Sequence, residues 1–165
     1  MSSEAKPAVV VRAAEIAERA VAFVHPWNPT SEIRAAFLGR AAGLRRTGVN
    51  LLRVPPGQSS FTYHAHLHEE EWLYVLAGRA IVDSGDVAHE VGAGDLIVFP
   101  TPSAPHQLRN VFAEDVVYLA GGEHAEQDVV DFPRLGTRVV RIGDRATVYR
   151  LDDGAGLPFP GIDRL

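Results

Sequence analysis

Three of the seven histidines fall in one short stretch, His64-Ala65-His66-Leu67-His68, and three glutamates, Glu69, Glu70 and Glu71, follow at once. On an extended strand successive side chains point to opposite faces, so His64 and His66 share a face with about 7 Å between their Cα atoms. Two imidazoles so placed can chelate one ion. Glu71 comes after a gap long enough for the chain to turn and aim a carboxylate at the same point. His106 opens a later strand-like run that a two-layered β fold could bring alongside. Each residue taken singly has a plainer reading, as a satisfied polar group on a strand or part of a solvated acidic turn. Together they fit that reading badly. The face carrying Thr62, His64 and His66 lies opposite Phe61, Tyr63 and Ala65, and an apolar interior seldom accepts paired imidazoles without a partner.

Three imidazoles and a carboxylate form a mixed nitrogen and oxygen donor set, which suits one divalent ion and does not choose among Fe, Mn, Ni, Cu and Zn. An octahedral ion would keep open positions for water, oxygen or a bidentate substrate, whereas tetrahedral zinc would be closed by four protein ligands and purely structural. His68 shares the strand parity of the ligands, but the chain is already turning there, and it is expected to stay outside the site. His25, His89 and His124 have no partner at ligand spacing. Trp72, Tyr74 and Phe99 are expected first as core or interface aromatics, with one of them able to line a pocket mouth.

The rest of the composition narrows the setting. A chain of 165 residues fits one domain and can bury a sufficient core without a staple, so a metal here is functional rather than architectural. The absence of cysteine excludes a disulfide framework, a thiolate zinc site and a cysteine nucleophile. A net charge of −5, with 16 basic residues spread along the chain, argues against a nucleic-acid surface. No apolar run approaches membrane-spanning length, and the first eleven residues lack the pattern of a secretory signal, so the expected setting is soluble and cytoplasmic.

The elements that must position these residues are short strands. Val49 to Val54, Phe61 to His66, Trp72 to Leu76, Arg79 to Asp83, Val87 to Val91, Leu96 to Pro100, His106 to Val111 and Val116 to Ala120 alternate with turn signals. Ser84-Gly85-Asp86 reads as a tight hairpin. Strands this short and regularly spaced predict an all-β sandwich or jelly roll. Before them, Ala13 to Ala22 predicts a short helix or an alanine-rich arm, ended by His25-Pro26-Trp27-Asn28-Pro29. After them, Glu123 to Asp131 reads as a polar acidic segment. Arg138 to Ile142 and Ala146 to Leu151 read as a terminal hairpin, followed by an extended tail. The organisation expected is a single domain over 1–165, with an arm at 1–48, a barrel core at 49–121 and an extension at 122–165.

The spacing of these residues resembles that of the cupin superfamily. Gly57, His64, His66, Glu71 and Gly78 stand where that family's first motif has a glycine, a His-x-His pair, a glutamate and a glycine. Gly94, Pro100, His106 and Asn110 stand on its second motif, with Pro102 in place of a glycine and a loop from Thr101 to Pro105 one residue longer than usual. The stretch from Asn28 to Gly136 also looks like small single-domain bacterial cupins of unassigned activity. The resemblance implies a double-stranded β-helix, a metal held by His64, His66, Glu71 and His106, and Glu71 rather than Glu70 as the acidic ligand. Dioxygenase, decarboxylase, isomerase and lyase reactions are the candidates it suggests, with a small anionic or carbonyl-bearing metabolite chelating the ion. Two other readings are a non-catalytic module that senses a small ligand and an inert metal-stabilised scaffold. The arm, with Val9 to Val11 and the apolar residues around Phe23 and Trp27, is expected to add to a neighbouring subunit's sheet and make a homodimer.

Overall fold

A computed structural model describes residues 10–151. Its elements are almost all strands, arranged as the layered β fold of a double-stranded β-helix. A six-stranded sheet runs in the order β1 (Val21–His25), β2 (Asn28–Phe37), β3 (Thr47–Val54), β10 (Val116–Glu123), β5 (Glu71–Ala77) and β8 (Leu96–Phe99). Two smaller sheets complete it. One joins β7 (Val87–Gly92), β6 (Arg79–Ser84) and β9 (His106–Arg109), and the other joins β13 (Arg145–Arg150), β12 (Thr137–Ile142), β11 (Gln127–Phe132) and β4 (Ala65–His66). All pairings are antiparallel among the described residues.

Period-two patterning explains which faces close on one another. Leu52 and Val54 on β3, Val116 and Tyr118 on β10, and Val75 on β5 point inward and are almost fully buried. Ala80, Val82, Val91 and Leu108 join them from the three-stranded sheet. Turn chemistry sets the bends between them. Gly78, between β5 and β6, has φ of +76°, and a Cβ there would lie 2.2 Å from the carbonyl oxygen of Asp115. Only glycine fits that corner.

The sequence outside the motifs folds differently from expectation in two places. The helical reading of Ala13 to Ala22 holds only over α1 (Ala13–Arg19), because from Val21 the chain enters β1 and turns at Pro26-Trp27 into β2. Within this chain the β1–β2 hairpin joins the six-stranded sheet, with β1 at its edge. β2 pairs with β3, and its Ile33 and Ala35 enter the main core with Phe23 packed against them. Val9 lies outside the described residues, and Val10 and Val11 belong to no strand. After β10, the acidic segment contains β11, which pairs with β4 through Val130 and His66 and through Asp131 and Ala65. The segment after 121 therefore packs on the strand that carries His66. The terminal hairpin forms as β12 and β13. No helix among the described residues is long and apolar enough to cross a membrane.

Candidate metal centre

Each of the three sheets delivers a different part of the site. Glu71 opens β5 in the six-stranded sheet, His106 opens β9 in the three-stranded sheet, and His66 ends the two-residue strand β4 in the third. The expected strand from Phe61 to His66 is much shorter than predicted. Phe61 has φ of +47°, and His64 is joined to His106 only by an isolated bridge, with N–H to O distances of 3.1 and 2.7 Å. The parity argument survives this shortening.

The four residues converge on one oxygen. Nε2 of His106, His66 and His64 lie 3.1, 3.5 and 3.6 Å from Oε2 of Glu71. His64, His66 and Glu71 offer ligand atoms all within 4.8 Å of one another, and His106 joins them through Glu71. Two donors that each sit about 2.1 Å from a common ion lie about 3.0 Å apart at a right angle and about 3.4 Å apart at the tetrahedral angle. Only the 3.1 Å spacing of His106 falls in that range. Those of His66 and His64, 3.5 and 3.6 Å, lie just beyond it and short of the roughly 4.2 Å of donors on opposite sides of an ion, so each pairing with Glu71 is compatible with a shared divalent ion.

The opposite edge of each ring is fixed. Nδ1 of His64 donates to the carbonyl oxygen of Thr62 at 2.6 Å, and Nδ1 of His106 donates to that of Ala104 at 3.0 Å. Nδ1 of His66 donates to Oδ2 of Asp128 at 2.6 Å. A carbonyl oxygen can only accept, so the neutral rings of His64 and His106 keep their protons on Nδ1 and leave a lone pair on Nε2. Phe99 stacks on His106, with ring centroids 3.6 Å apart and planes within 6°. Phe132 lies against His64 at 6.0 Å.

Charge follows from this packing. Burial pushes His64 below the ordinary imidazole value despite the nearby Glu71. Burial also acts downward on His66, but the hydrogen bond to Asp128 and the charges of Glu71, Asp128 and Glu69 outweigh it and hold His66 above that value. Burial would raise Glu71, yet the imidazoles of His106, His64 and His66 gathered around its carboxylate outweigh that and keep its carboxyl far below the usual carboxylate range. Asp128 is likewise held low against its burial by the bond to His66.

Asp128, Glu69 and Arg141 lie outside the set expected from sequence. Asp128 is 1% exposed and accepts from His66 and from the backbone N–H of His68 at 3.2 Å. Buried Glu69 accepts from the N–H of Ala125 at 2.7 Å and pairs with Arg141. His66, Glu69 and Asp128 also stand at metal-ligand separation, with Nδ1 of His66, Oδ2 of Asp128 and Oε1 of Glu69 already engaged in these bonds. The side chain of His68 is exposed, as expected, and only its backbone serves the site. Ser103 ties the long second-motif loop to the same strand, its Oγ accepting from His66 N–H at 3.0 Å. Asn110 is buried and its side chain donates to the carbonyl oxygens of Val54 and Glu114.

Beside the cluster lies a cavity of about 170 Å³ bounded by His64, Glu71 and His106, with Ser60, Phe99 and Tyr118 among its walls. Tyr118 is fully buried, and burial first, then the charge of Glu71, raises its hydroxyl so that it stays protonated. The arrangement can therefore hold a cation with one side facing a small chamber that offers hydroxyl groups.

This fold and this cluster define a cupin barrel, and comparison with known proteins agrees. The Cupin domain family model matches residues 50–121. A protein from Acidithiobacillus ferrooxidans, provisionally named a sugar phosphate isomerase, is 33% identical, with a TM-score of 0.82 over 87% of this chain and 93% of that one. The chain belongs to the cupin superfamily. A sugar phosphate isomerase of a cupin superfamily from Silicibacter pomeroyi shares the fold at 24% identity, with a TM-score of 0.72 over 85% of this chain and 90% of that one. Protein SchB of Streptomyces halstedii is 32% identical over 79 residues, which is 48% of this chain. The chain spans only 56% and 45% of the curated relatives it matches.

Proposed function

We propose that this chain is a metal-dependent enzyme that isomerises a small hydroxy-carbonyl metabolite of the sugar phosphate class. The observation that carries the metal is the convergence of three imidazole nitrogens on one carboxylate oxygen, with the far nitrogen of every ring engaged by an acceptor. With the protons of His64 and His106 on Nδ1, two Nε2 lone pairs face the Glu71 carboxylate, a repulsion that a cation between them would relieve. A bound divalent ion would supply Lewis acidity, polarising a substrate carbonyl held by its oxygens.

The protein's own groups do the rest. His64, His66, His106 and Glu71 would hold the ion, and Asp128 keeps His66 in the orientation that aims Nε2 inward. The protonated hydroxyl of Tyr118 and that of Ser60 stand in the cavity wall as partners for substrate oxygens. The chamber adjoins three of the four ligands, which favours a working site over an inert scaffold. Isomerisation is preferred among cupin reactions because the 33% identical relative carries that name.

His66→Ala tests the first half. The variant should lose most of its bound metal by mass spectrometry and keep the circular dichroism of a β protein, since the core does not depend on the ion. Metal-loaded protein should then interconvert an aldose phosphate and its ketose, followed by proton magnetic resonance, and chelated protein should not. Unchanged metal content in His66→Ala, or no interconversion across a panel of such pairs, would reject the reading.

A further inference from the structure

We infer that the broad cavity between α2 (Leu38–Ala41) and the β12–β13 turn is the seat of the substrate's phosphate, held by Arg40 and Arg45 while the carbonyl end lies at the metal centre. This rests on the proposed metal-dependent reading of the same site. The register of the six-stranded sheet links the two places. Glu71 pairs with Gly122, which pairs with Gly48, and Leu73 pairs with Ala120, which pairs with Asn50, which pairs with Phe37. Directly paired residues point to the same face. Glu71, Leu73 and Ala120 border the inner chamber, and Gly48, Asn50 and Phe37 border the outer cavity, so one continuous floor runs from the candidate ligand Glu71 to Phe37.

The floor is open at Gly48, where a Cβ would meet nothing nearer than the carbonyl oxygen of Gly122 at 3.9 Å. At Gly122 the backbone of Glu70 and Glu71 closes over it, the Glu70 carbonyl oxygen lying 2.5 Å from where a Cβ would stand. The route between the cavities therefore runs along the row Leu73, Ala120, Asn50 and Phe37. Two inter-strand steps separate Gly48 from Glu71, about 10 Å, a span suited to a ligand a few carbons long.

The outer cavity, about 750 Å³, carries guanidinium groups, which the inner chamber lacks. Arg40, Arg45 and His124 stand on its walls. Arg45 makes no ion pair among the described residues, and Arg40 has only a long, fully exposed contact to Asp144 at 3.9 Å. Guanidinium forks match phosphate oxygens, and two of them over one cavity suit a dianion better than a neutral sugar. Asp144, in the β12–β13 turn, opposes them with a negative charge.

Calorimetry on the metal-loaded full chain, with ribose-5-phosphate, ribose and inorganic phosphate as probes, tests this. The wild type should bind ribose-5-phosphate at least about tenfold tighter than ribose. Arg40→Ala with Arg45→Ala should abolish that preference without changing metal content. Asp144→Asn should tighten ribose-5-phosphate and inorganic phosphate and leave ribose alone. Equal binding of ribose-5-phosphate and ribose by the wild type, or a preference that survives the double arginine variant, would overturn the assignment. If the preference depends on the arginines while His66→Ala leaves ribose affinity untouched, the phosphate seat stands and the metal reading falls.

Discussion

A metal site of this kind depends on groups that never touch the ion. His66 sits on a strand of two residues, and its ring is aimed by Asp128 from another strand. Asp128→Asn keeps the shape, but it removes the charge and can turn its amide toward Nδ1. The variant should bind metal 10- to 100-fold more weakly, roughly the range seen when such partners are lost, as read by competition with a chelating dye. His64 and His66 stood out in the sequence because paired imidazoles at strand parity fit an apolar face badly, and His106 stood out through the opening of a later strand and the family's second motif. Glu71 was separable from Glu70 only through the family spacing. Asp128 was not legible: one aspartate in an acidic run carries no sign of the partner it meets 62 residues away.

At the scale of elements, sequence patterning recovered the strands whose inward residues are large. It failed on β2, where Ser31, Ile33, Ala35 and Ala36 are the buried set and three of the four are small. Such a strand gives little hydrophobic contrast, and Pro29, its second residue, suggests a break. β11 was missed for a related reason, since its inward positions include the charged Asp128 along with Phe132. The core contribution of β2 is nevertheless substantial. Ile33 is 1% exposed within the main cluster. Ile33→Ala should cost roughly 2–5 kcal/mol in urea unfolding, with metal affinity unchanged once the protein is folded. A loss below about 1 kcal/mol would show that the hairpin is a detachable cover rather than part of the core.

For the whole molecule, metal binding at this cluster would be linked to folding through protons. Without metal, the stabilisation from His66, whose value is raised, is fully present below about pH 6.5 and fades as pH rises through its higher folded value. That same proton competes with the ion for the ring. Glu71, held low, contributes above its ordinary value and loses its contribution only in strong acid. Addition of metal should therefore raise the melting temperature more at pH 8 than at pH 6, while the chelated protein still melts cooperatively at both. At a hundredfold excess over the dissociation constant the gain is about 2.7 kcal/mol. An equal shift at both pH values, by differential scanning calorimetry, would show that no ring proton is displaced.

The tie between β11 and β4 also bears on how this barrel can be cut and recombined. The family match ends at residue 121, whereas the carboxylate that aims His66 stands at 128 and the guanidinium that pairs with Glu69 at 141. A gene fragment trimmed to the match would encode every candidate ligand and leave out the parts that hold one of them in place. In a chimera of two such barrels, a crossover at that border would join one parent's imidazoles to the other parent's carboxylate. The module that can be exchanged intact runs at least from β3 through β12.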